Sequence, residues 1–525
     1  MRSALWGIVV AGSTLAGWLT LSAACGALPT ECIERYNCAI GGGGSSGSSA
    51  SASSSSSGTG GGPPATCVPT AGMAPVDDTC GIFVSSSIGA DIPTAGSKAK
   101  PYKTLAAAIA AAGPAKKPVY ACAETFTETL TVAVGVGLYG GLECASKWSY
   151  TAGGKSTLTT DADAVPLTLA ASANGASLFD FTVQAANATL AGGSSIAVIA
   201  DQVTAAFTRC DFIAGNGKDG LAGIASTVGV GPNVPTDPQI RGNDGVDACA
   251  SATMSFGGAA KDNTLCSAMS GGPLGGSGGL GNQNNGGAGD VQPAATKTTA
   301  LGGQGENVGA WTCSTGDGAV GTGGMQGDDG AGAAGVNALG TIGVSGYSGV
   351  DGKDGVPGQP GQGGGGGGGA KGKVGCAGAS GGGGGAGGCG GHGGTGGKAG
   401  GASIGLISLG ATLAFDALTI AVSVGGAGGD GGDGQFGGAG GTGGIEGIGN
   451  GTNSACPGGK GGKGGLGGKG GGGRGGHAIG IAVSGAAPDT KGVKLSQMGT
   501  PGLGGKGGTG QGGDPGVLAD VQMFP

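Results

Sequence analysis

The sequence predicts an all-β chain that winds as a parallel β-solenoid and carries long glycine-rich insertions. Three observations predict this fold class: a repeated set of apolar positions, interruptions that always fall at the same point of the repeat, and 138 glycines among 525 residues. Only 11% of the residues are charged, whereas about a quarter are charged in an ordinary globular chain. Such a composition can bury one modest core.

The repeat has five apolar positions and occurs in four copies. The second copy follows the first directly, whereas long stretches of chain precede the third and the fourth. Apolar residues two apart place their side chains on one face of a short strand, and strands this short must stack on neighbouring copies. The copies are Leu167, Leu169, Leu178, Phe181 and Val183; Ile196, Val198, Phe207, Cys210 and Phe212; Ile404, Leu406, Phe415, Leu418 and Ile420; and Ile479, Ile481, Thr490, Val493 and Leu495.

The step from the first copy to the second gives the length of one coil, and the two later steps far exceed it. Their excess length is glycine-rich insertion, and both insertions follow the last strand of a coil. Because stacked strands lie about 4.8 Å apart, we expect the glycine-rich segments to leave one corner of the solenoid side by side. Two interpretations stay open: solvated loops with too little apolar surface to order, or a sheaf of extended left-handed helices with three residues per turn. We expect these insertions to be largely irregular.

The N-terminus is typical of an exported protein. Residues 1–24 have a charged tip, an apolar stretch and small residues before Cys25, as in a signal peptide. Leu21-Ser-Ala-Ala-Cys25 resembles a bacterial lipobox, which implies that Cys25 is lipidated and anchors the chain in a lipid bilayer. Simple secretion is the alternative. Residues 25–78 then form the lipid anchor and a Gly/Ser tether.

The 14 cysteines of an exported chain predict disulfides. If Cys25 is lipidated, 13 remain and at least one stays unpaired. No Cys/His group has the spacing of a zinc site, so we expect no metal and no cofactor. The expected pairs are Cys122 with Cys144, which flank one strand–turn–strand unit, and the local loops Cys32 with Cys38 and Cys67 with Cys80.

The start of the folded part resembles a known family. A strand and a Gly89-Ala-Asp91 turn precede Pro101-Tyr-Lys-Thr-Leu105 and an Ala-rich segment, in which Thr104 caps a short helix and Gly113 ends it. These motifs, with the Tyr139-Gly-Gly turn, resemble right-handed parallel β-helix proteins of the pectin-lyase-like superfamily, in a bacterial branch of unassigned function. The resemblance implies that the helix caps the open end of a right-handed solenoid.

The domain boundaries follow from the repeat and the composition. We expect an N-terminal β-helix over 79–214 and isolated coils over 403–424 and 477–498. Between and after them lie glycine-rich segments, at 215–402, 425–476 and a tail at 499–525. Their composition resembles glycine-rich surface proteins of the PGRS type. Residues 403–424 have the length of a membrane span, but Asp416 and the alignment with the other copies favour strands.

The chain is poorly equipped for catalysis, with two histidines and no convincing catalytic residue. Enzymes of the pectin-lyase-like superfamily use clustered carboxylates, and Asp161 and Asp163 form the only close acidic pair in the predicted solenoid. His477 begins the last coil and is expected at a surface corner. A net charge of −7 argues against nucleic acid as a partner.

We therefore expect an exported bacterial surface protein, either an outer-membrane lipoprotein or secreted, with a structural, adhesive or glycan-binding role. Its expected partners are polysaccharide or cell-surface matrix, or further copies bound through the glycine-rich segments. One alternative is a carbohydrate-active lyase or hydrolase of the pectin-lyase-like superfamily, with Asp161 and Asp163 as its acidic pair. Another is a glycine-rich sheaf that binds ice or itself.

Overall fold

The computed structural model describes residues 67–70, 75–145, 147–266, 273–290, 301–307, 311–318, 326 and 328–525. The chain divides into two units, Met1–Gly61 and Gly62–Pro525, and all described residues belong to the second. The signal peptide, the lipid anchor Cys25 and the pair Cys32 with Cys38 lie outside the described residues.

Three parallel sheets form the body of the protein, and six strands stack in each. The first sheet contains β1 (Ile82–Val84), β2 (Val119–Cys122), β5 (Gly137–Glu143), β9 (Ala176–Phe179), β12 (Thr204–Thr208) and β19 (Thr412–Asp416), with β6 (Ser149–Tyr150) antiparallel to β5. The second contains β3 (Thr125–Thr127), β7 (Ser156–Thr159), β10 (Phe181–Gln184), β13 (Asp211–Ile213), β20 (Leu418–Ala421) and β22 (Val493–Gln497). The third contains β4 (Leu130–Val132), β8 (Leu167–Leu169), β11 (Ser195–Asp201), β18 (Ser403–Leu409), β21 (Ala478–Ser484) and β23 (Leu518–Met523).

The remaining elements are short. Two helices are described, α1 (Leu105–Ala112) and α2 (Cys313–Gly316). Two antiparallel hairpins pair β14 (Met254–Ser255) with β15 (Gly281–Asn282), and β16 (Thr341–Gly343) with β17 (Gly346–Ser348).

From β2 to β21, apart from β6 and the two hairpins, the chain visits the three sheets in rotation, so that each turn of the chain stacks on the one before. It passes from β9 in the first sheet to β10 in the second and β11 in the third, and returns to the first at β12. β21 in the third sheet is then followed directly by β22 in the second. This arrangement of parallel strands is compatible with a parallel β-helix. The predominance of sheet over helix agrees with the predicted all-β class.

Where strands pair, the register between turns follows the predicted repeat with one exception. Thr490, which the repeat aligns with Phe415, lies in no strand, because β19 is the last strand of the first sheet. Ile404 pairs with Ile196 below it and with Ile479 above it, the same residues that the repeat aligns. Leu167, however, pairs with Val198 and not with Ile196. The corner after β8, which holds a 3₁₀ turn at Ala171–Ala173, is two residues longer than the corner after β11, and this shifts the first strand of that copy. The prediction was wrong there by one pleat.

The α1 helix forms as its sequence predicts. The Thr104 hydroxyl accepts the N–H of Ala107 at 3.2 Å, and Gly113 is the C-terminal cap. Asp91, from the Gly-x-Asp turn, accepts the N–H of Lys103 at 2.8 Å and so fixes the entry to the helix. The helix buries Leu105 and Ile109 in the core that the three sheets enclose.

Five disulfides lie within the described residues. The structure brings together two of the expected pairs, Cys67–Cys80 and Cys122–Cys144. The other three were not predicted from the sequence, and they all join glycine-rich parts of the chain over 123 to 143 residues. Cys210 is a free thiol in the core. The three missed pairs are Cys249–Cys376, Cys266–Cys389 and Cys313–Cys456.

Residues 403–424 form β18, β19 and β20, as the repeat predicts. Across the part of the chain that the structure describes, no helix has the length and apolar character needed to cross a membrane.

Candidate binding surface

The glycine-rich segments form an ordered sheaf of extended chains, which corrects the expectation that they are irregular. Along 382–397, every third backbone N–H donates to every third carbonyl of 456–471, at N···O distances of 2.9 to 3.1 Å. A hydrogen-bond period of three is the period of the extended left-handed helix, which has no bonds within itself. Order therefore comes from bonds between segments. The bonded residues include Gly382, Gly385, Gly388, Gly391, Gly394 and Gly397.

Three segments leave the sheets side by side, as the repeat predicts. We call 215–224, 424–449 and 499–507 the outgoing layer; they follow β13, β20 and β22. Gly217 donates to the Val424 carbonyl at 2.8 Å, and Gly425 donates to the Thr500 carbonyl at 2.9 Å. The three strands pair in the same order, β13 with β20 and β20 with β22, so the outgoing layer continues the stacking of the strands below it.

Three further segments, 377–402, 454–476 and 511–516, lead back into β18, β21 and β23, and we call them the returning layer. Gly400 donates to the Arg474 carbonyl at 2.8 Å, and Gly475 to the Asp514 carbonyl at 3.0 Å. The two layers also bond to each other, since Gly438 donates to the Cys389 carbonyl at 2.8 Å. The segment 377–402 is buried along almost its whole length.

Glycine is required where the layers touch. A Cβ atom on Gly388 would collide with the carbonyl oxygen of Gly438, and one on Gly464 would collide with that of Cys389. The backbones thus approach more closely than any side chain allows.

Aspartates in the sheaf bond to the backbone of the neighbouring segment. Asp219 accepts the N–H of Ala427 at 2.7 Å, and Asp247 accepts the N–H of Ile448 at 2.7 Å. Asp430, which lies in a Gly/Asp-rich stretch, accepts the N–H of Lys506 at 2.6 Å. Asp219 and Asp430 thus join segments of the outgoing layer, and Asp247 joins that layer to a neighbouring part of the chain.

The outer face of the sheaf is the surface formed by the outward side chains of the outgoing layer. In 424–449 the outward position recurs at every third residue. Phe436 is 74% exposed and Ile448 is 64% exposed, so these are large apolar groups left in solvent. An exposed apolar row on a rigid scaffold is typical of an interaction surface. The exposed apolar side chains of the outer face are Leu221, Ile224, Val424, Phe436, Ile445, Ile448 and Leu503.

A groove of about 780 Å³ opens beside Phe436 and is lined by the segments 424–449 and 454–476 and by Asn233 and Pro235. Lys460 and Lys463 lie on its rim, and the Lys463 ammonium is 5.6 Å from the centre of the Phe436 ring. This cation–π contact keeps the ring and the charge together at the groove. These residues were not predicted from the sequence, although Phe436 on its segment and the two lysines on theirs each lie three residues from another non-glycine residue.

The structure places the two carboxylates of the predicted acidic pair in different surroundings. Asp163 accepts the N–H groups of Thr189 and Leu190 at 2.9 and 3.2 Å, and the Thr189 hydroxyl holds the pKa of Asp163 below its usual value. Asp161 is exposed. Within the described residues, no ion pair brings a lysine or arginine to either carboxylate. Asp163 therefore fixes the loop at Thr189 and Leu190.

Other carboxylates of the sheets are also engaged. Asp180 accepts two bonds from the Arg209 guanidinium, at 2.8 and 2.7 Å, and Asp211 pairs with Lys155 at 2.7 Å. The Asp180–Arg209 pair links one turn of the chain to the next, whereas the Asp211–Lys155 pair spans two turns, since β10 lies between β7 and β13.

A second cavity, of about 170 Å³, contains Glu124. Burial alone would raise the pKa of this carboxyl, but hydrogen bonds from Ser87, Ser86 and Ser85 lower it. Glu124 is therefore an ionised acceptor that fixes the Ser85–Ser87 loop. The Ser86 hydroxyl, for example, donates to the Glu124 Oε2 at 2.9 Å. Its role is structural.

His477 is buried, which corrects the expectation of a surface corner. Its Nδ1 accepts the Val517 N–H at 2.8 Å, and its Nε2 donates to the Leu339 carbonyl at 2.8 Å. The aromatic rings of Tyr347 and Phe524 pack against the imidazole ring. Burial lowers the pKa of His477 to about 4, so the ring is neutral.

Cys313, Asp317 and Cys456 lie close together, but the two sulfur atoms are joined to each other and are not metal ligands.

Comparison with protein-family models, with curated proteins and with solved structures finds no match to this chain.

Proposed function

We propose that this chain is an adhesive protein of the bacterial surface, and that the outer face of the sheaf binds matrix polysaccharide or the surface of another cell. The observation that carries this proposal is the row of exposed apolar side chains, among them Phe436, Ile445 and Ile448, on a hydrogen-bonded scaffold. Rigid anchors lose little conformational entropy on binding, which favours adhesion.

The finer details of fold and location belong to the same proposal. We infer a right-handed parallel β-helix, with α1 covering its first turn, because parallel crossovers are almost always right-handed. The resemblance to the pectin-lyase-like superfamily agrees with this fold. Five disulfides favour an oxidising location, and the lipobox-like Cys25 would hold the protein at the outer membrane.

A glycan-array screen of the purified chain tests the proposal. We expect binding to matrix polysaccharides. The double variant Ile445→Ser with Ile448→Ser should bind about tenfold more weakly, because each substitution removes apolar contact area from the outer face. The matched control is Ile88→Ser with Ile92→Ser, which alters two exposed isoleucines outside the sheaf. Equal loss in both double variants, or no glycan binding at all, contradicts the proposal.

A further inference from the structure

One face of the sheaf carries a track for an extended chain, and the protein fills only half of it. The segment 499–507 lies in this track, between 424–449 and 454–476. Its carbonyls accept N–H groups from the first side: Gly428 donates to Leu503 at 2.8 Å and Gly431 donates to Lys506 at 2.7 Å. Its own N–H groups donate to the second side, as Gly505 does to Gly473 at 2.9 Å.

The chain then reverses at 508–510, and the track continues without it. In the segment 424–449, the donors that bond to 499–507 end at Gly431, and the N–H groups three, six and nine residues further on have no hydrogen bond among the described residues. In the segment 454–476, the acceptors end at Gly473, and the carbonyls of the four preceding third positions likewise have no hydrogen bond among the described residues. Most of these glycines are nevertheless buried. Gly437, Gly440 and Gly461 line the groove, so the two facing rows offer donors and acceptors to a chain bound there. The donors are Gly434, Gly437 and Gly440, and the acceptors are Gly461, Gly464, Gly467 and Gly470.

The seated segment shows what the open half can hold. A Cβ atom on Gly502 or Gly505 would collide with the carbonyl oxygen of Gly426 or Gly429. An occupant therefore needs glycine at every third residue, where its N–H donates. Pro501 follows Gly499-Thr500, and its lack of an N–H costs nothing because that position donates no bond. Proline also favours the extended conformation before binding.

Two lysines at the open half favour acidic side chains on the occupant, while Asp433 at its start is already paired with Lys469 at 3.1 Å. Lys460 and Lys463 are exposed on the rim of the groove and lie three residues apart, which matches the period of the track. Lys463 is held beside the exposed ring of Phe436.

We propose that the open half of this track binds an extended polypeptide of another molecule, with glycine at every third position and acidic residues or proline between. The bound segment would run parallel to 424–449 and antiparallel to 454–476, as 499–507 does. Apart from Phe436, which borders both, this site is separate from the outer face in the proposed function and does not depend on it. It works as strand addition does at a sheet edge, with the backbone giving affinity.

A labelled peptide of about four Gly-Asp-Pro repeats is the probe, and its matched control has alanine in place of each glycine. We expect the glycine peptide to bind the full chain in fluorescence anisotropy and the alanine peptide to show no binding. On binding, amide exchange should slow at Gly434, Gly437 and Gly440. The double variant Lys460→Glu with Lys463→Glu should weaken binding by about tenfold at low salt.

The control variant is Lys491→Glu with Lys494→Glu, two exposed lysines outside the groove, which should bind as the unaltered chain does. The inference is overturned if neither peptide binds, if both bind equally, or if protection appears at other glycines. It is also overturned if the groove is closed by a second copy, seen as a dimer that the Lys460 and Lys463 changes dissociate. The Ile445 and Ile448 variant should keep peptide binding, so failure of this inference and failure of the proposed function are distinguishable.

Discussion

His477 shows at the residue scale how the sheaf is joined to the sheets. It lies at the point where the returning segment 454–476 becomes β21. The ring links Val517, which leads into β23, to Leu339 beside the hairpin of β16 and β17. Since both ring nitrogens are used, only the neutral ring satisfies both partners.

The buried ring predicts a loss of stability in mild acid. A histidine in the unfolded chain titrates near pH 6.5, whereas burial lowers the pKa of His477 to about 4. Between these values the unfolded chain binds more protons, so the free energy of unfolding falls as the pH falls through this window. From pH 7 to pH 5 we expect a loss of about 2 kcal/mol, measured by urea unfolding.

The variant His477→Gln should lack this pH dependence, while His392→Gln, which changes the other histidine, should keep it. The same slope in all three proteins would show that His477 is not the group responsible.

At the scale of elements, the sheaf segments depend on close backbone contact. Gly388→Ala places a methyl group against the Gly438 carbonyl, and we expect it to lower the free energy of unfolding by about 3 kcal/mol or more. Gly229 is a matched control, because a Cβ atom there meets nothing within 4 Å. Gly229→Ala should change stability by less than about 0.5 kcal/mol. Denaturant unfolding followed by near-UV circular dichroism measures both, and equal effects would contradict the packing described for the sheaf.

The strands were predictable from the sequence because their side chains alternate. Ile404 and Leu406 mark β18 by spacing alone, and the repeat placed its neighbours correctly. The one register error came from a corner length, which apolar spacing does not encode. The order of the sheaf was not predictable in this way, since Gly-Gly-X tracts have no side-chain pattern to align. Their order depends on backbone bonds between distant segments, such as Gly217 with Val424.

The candidate sites were less predictable than the fold. Asp161 and Asp163 are near in sequence, but nearness says nothing about where a carboxylate points, and Asp163 bonds to a loop. The groove at Phe436 needs two segments side by side, and the facing lysines come from the neighbouring one. The three disulfides across the sheaf join cysteines that are distant in the chain, beyond the reach of local spacing.

At the scale of the whole molecule, the sheets and the sheaf share one register, since each outgoing segment continues the stacking of the strand before it. We therefore expect them to unfold together. Leu406→Ala removes a fully buried side chain from β18 and should cost about 3 kcal/mol. If unfolding is cooperative, amide protection of Gly438, far out in the sheaf, should fall by about a hundredfold. The control Val374→Ala, at a side chain that is 96% exposed, should leave this protection unchanged. Unchanged protection of Gly438 in Leu406→Ala would instead mean that hydrogen bonds and disulfides hold the sheaf independently of the sheets.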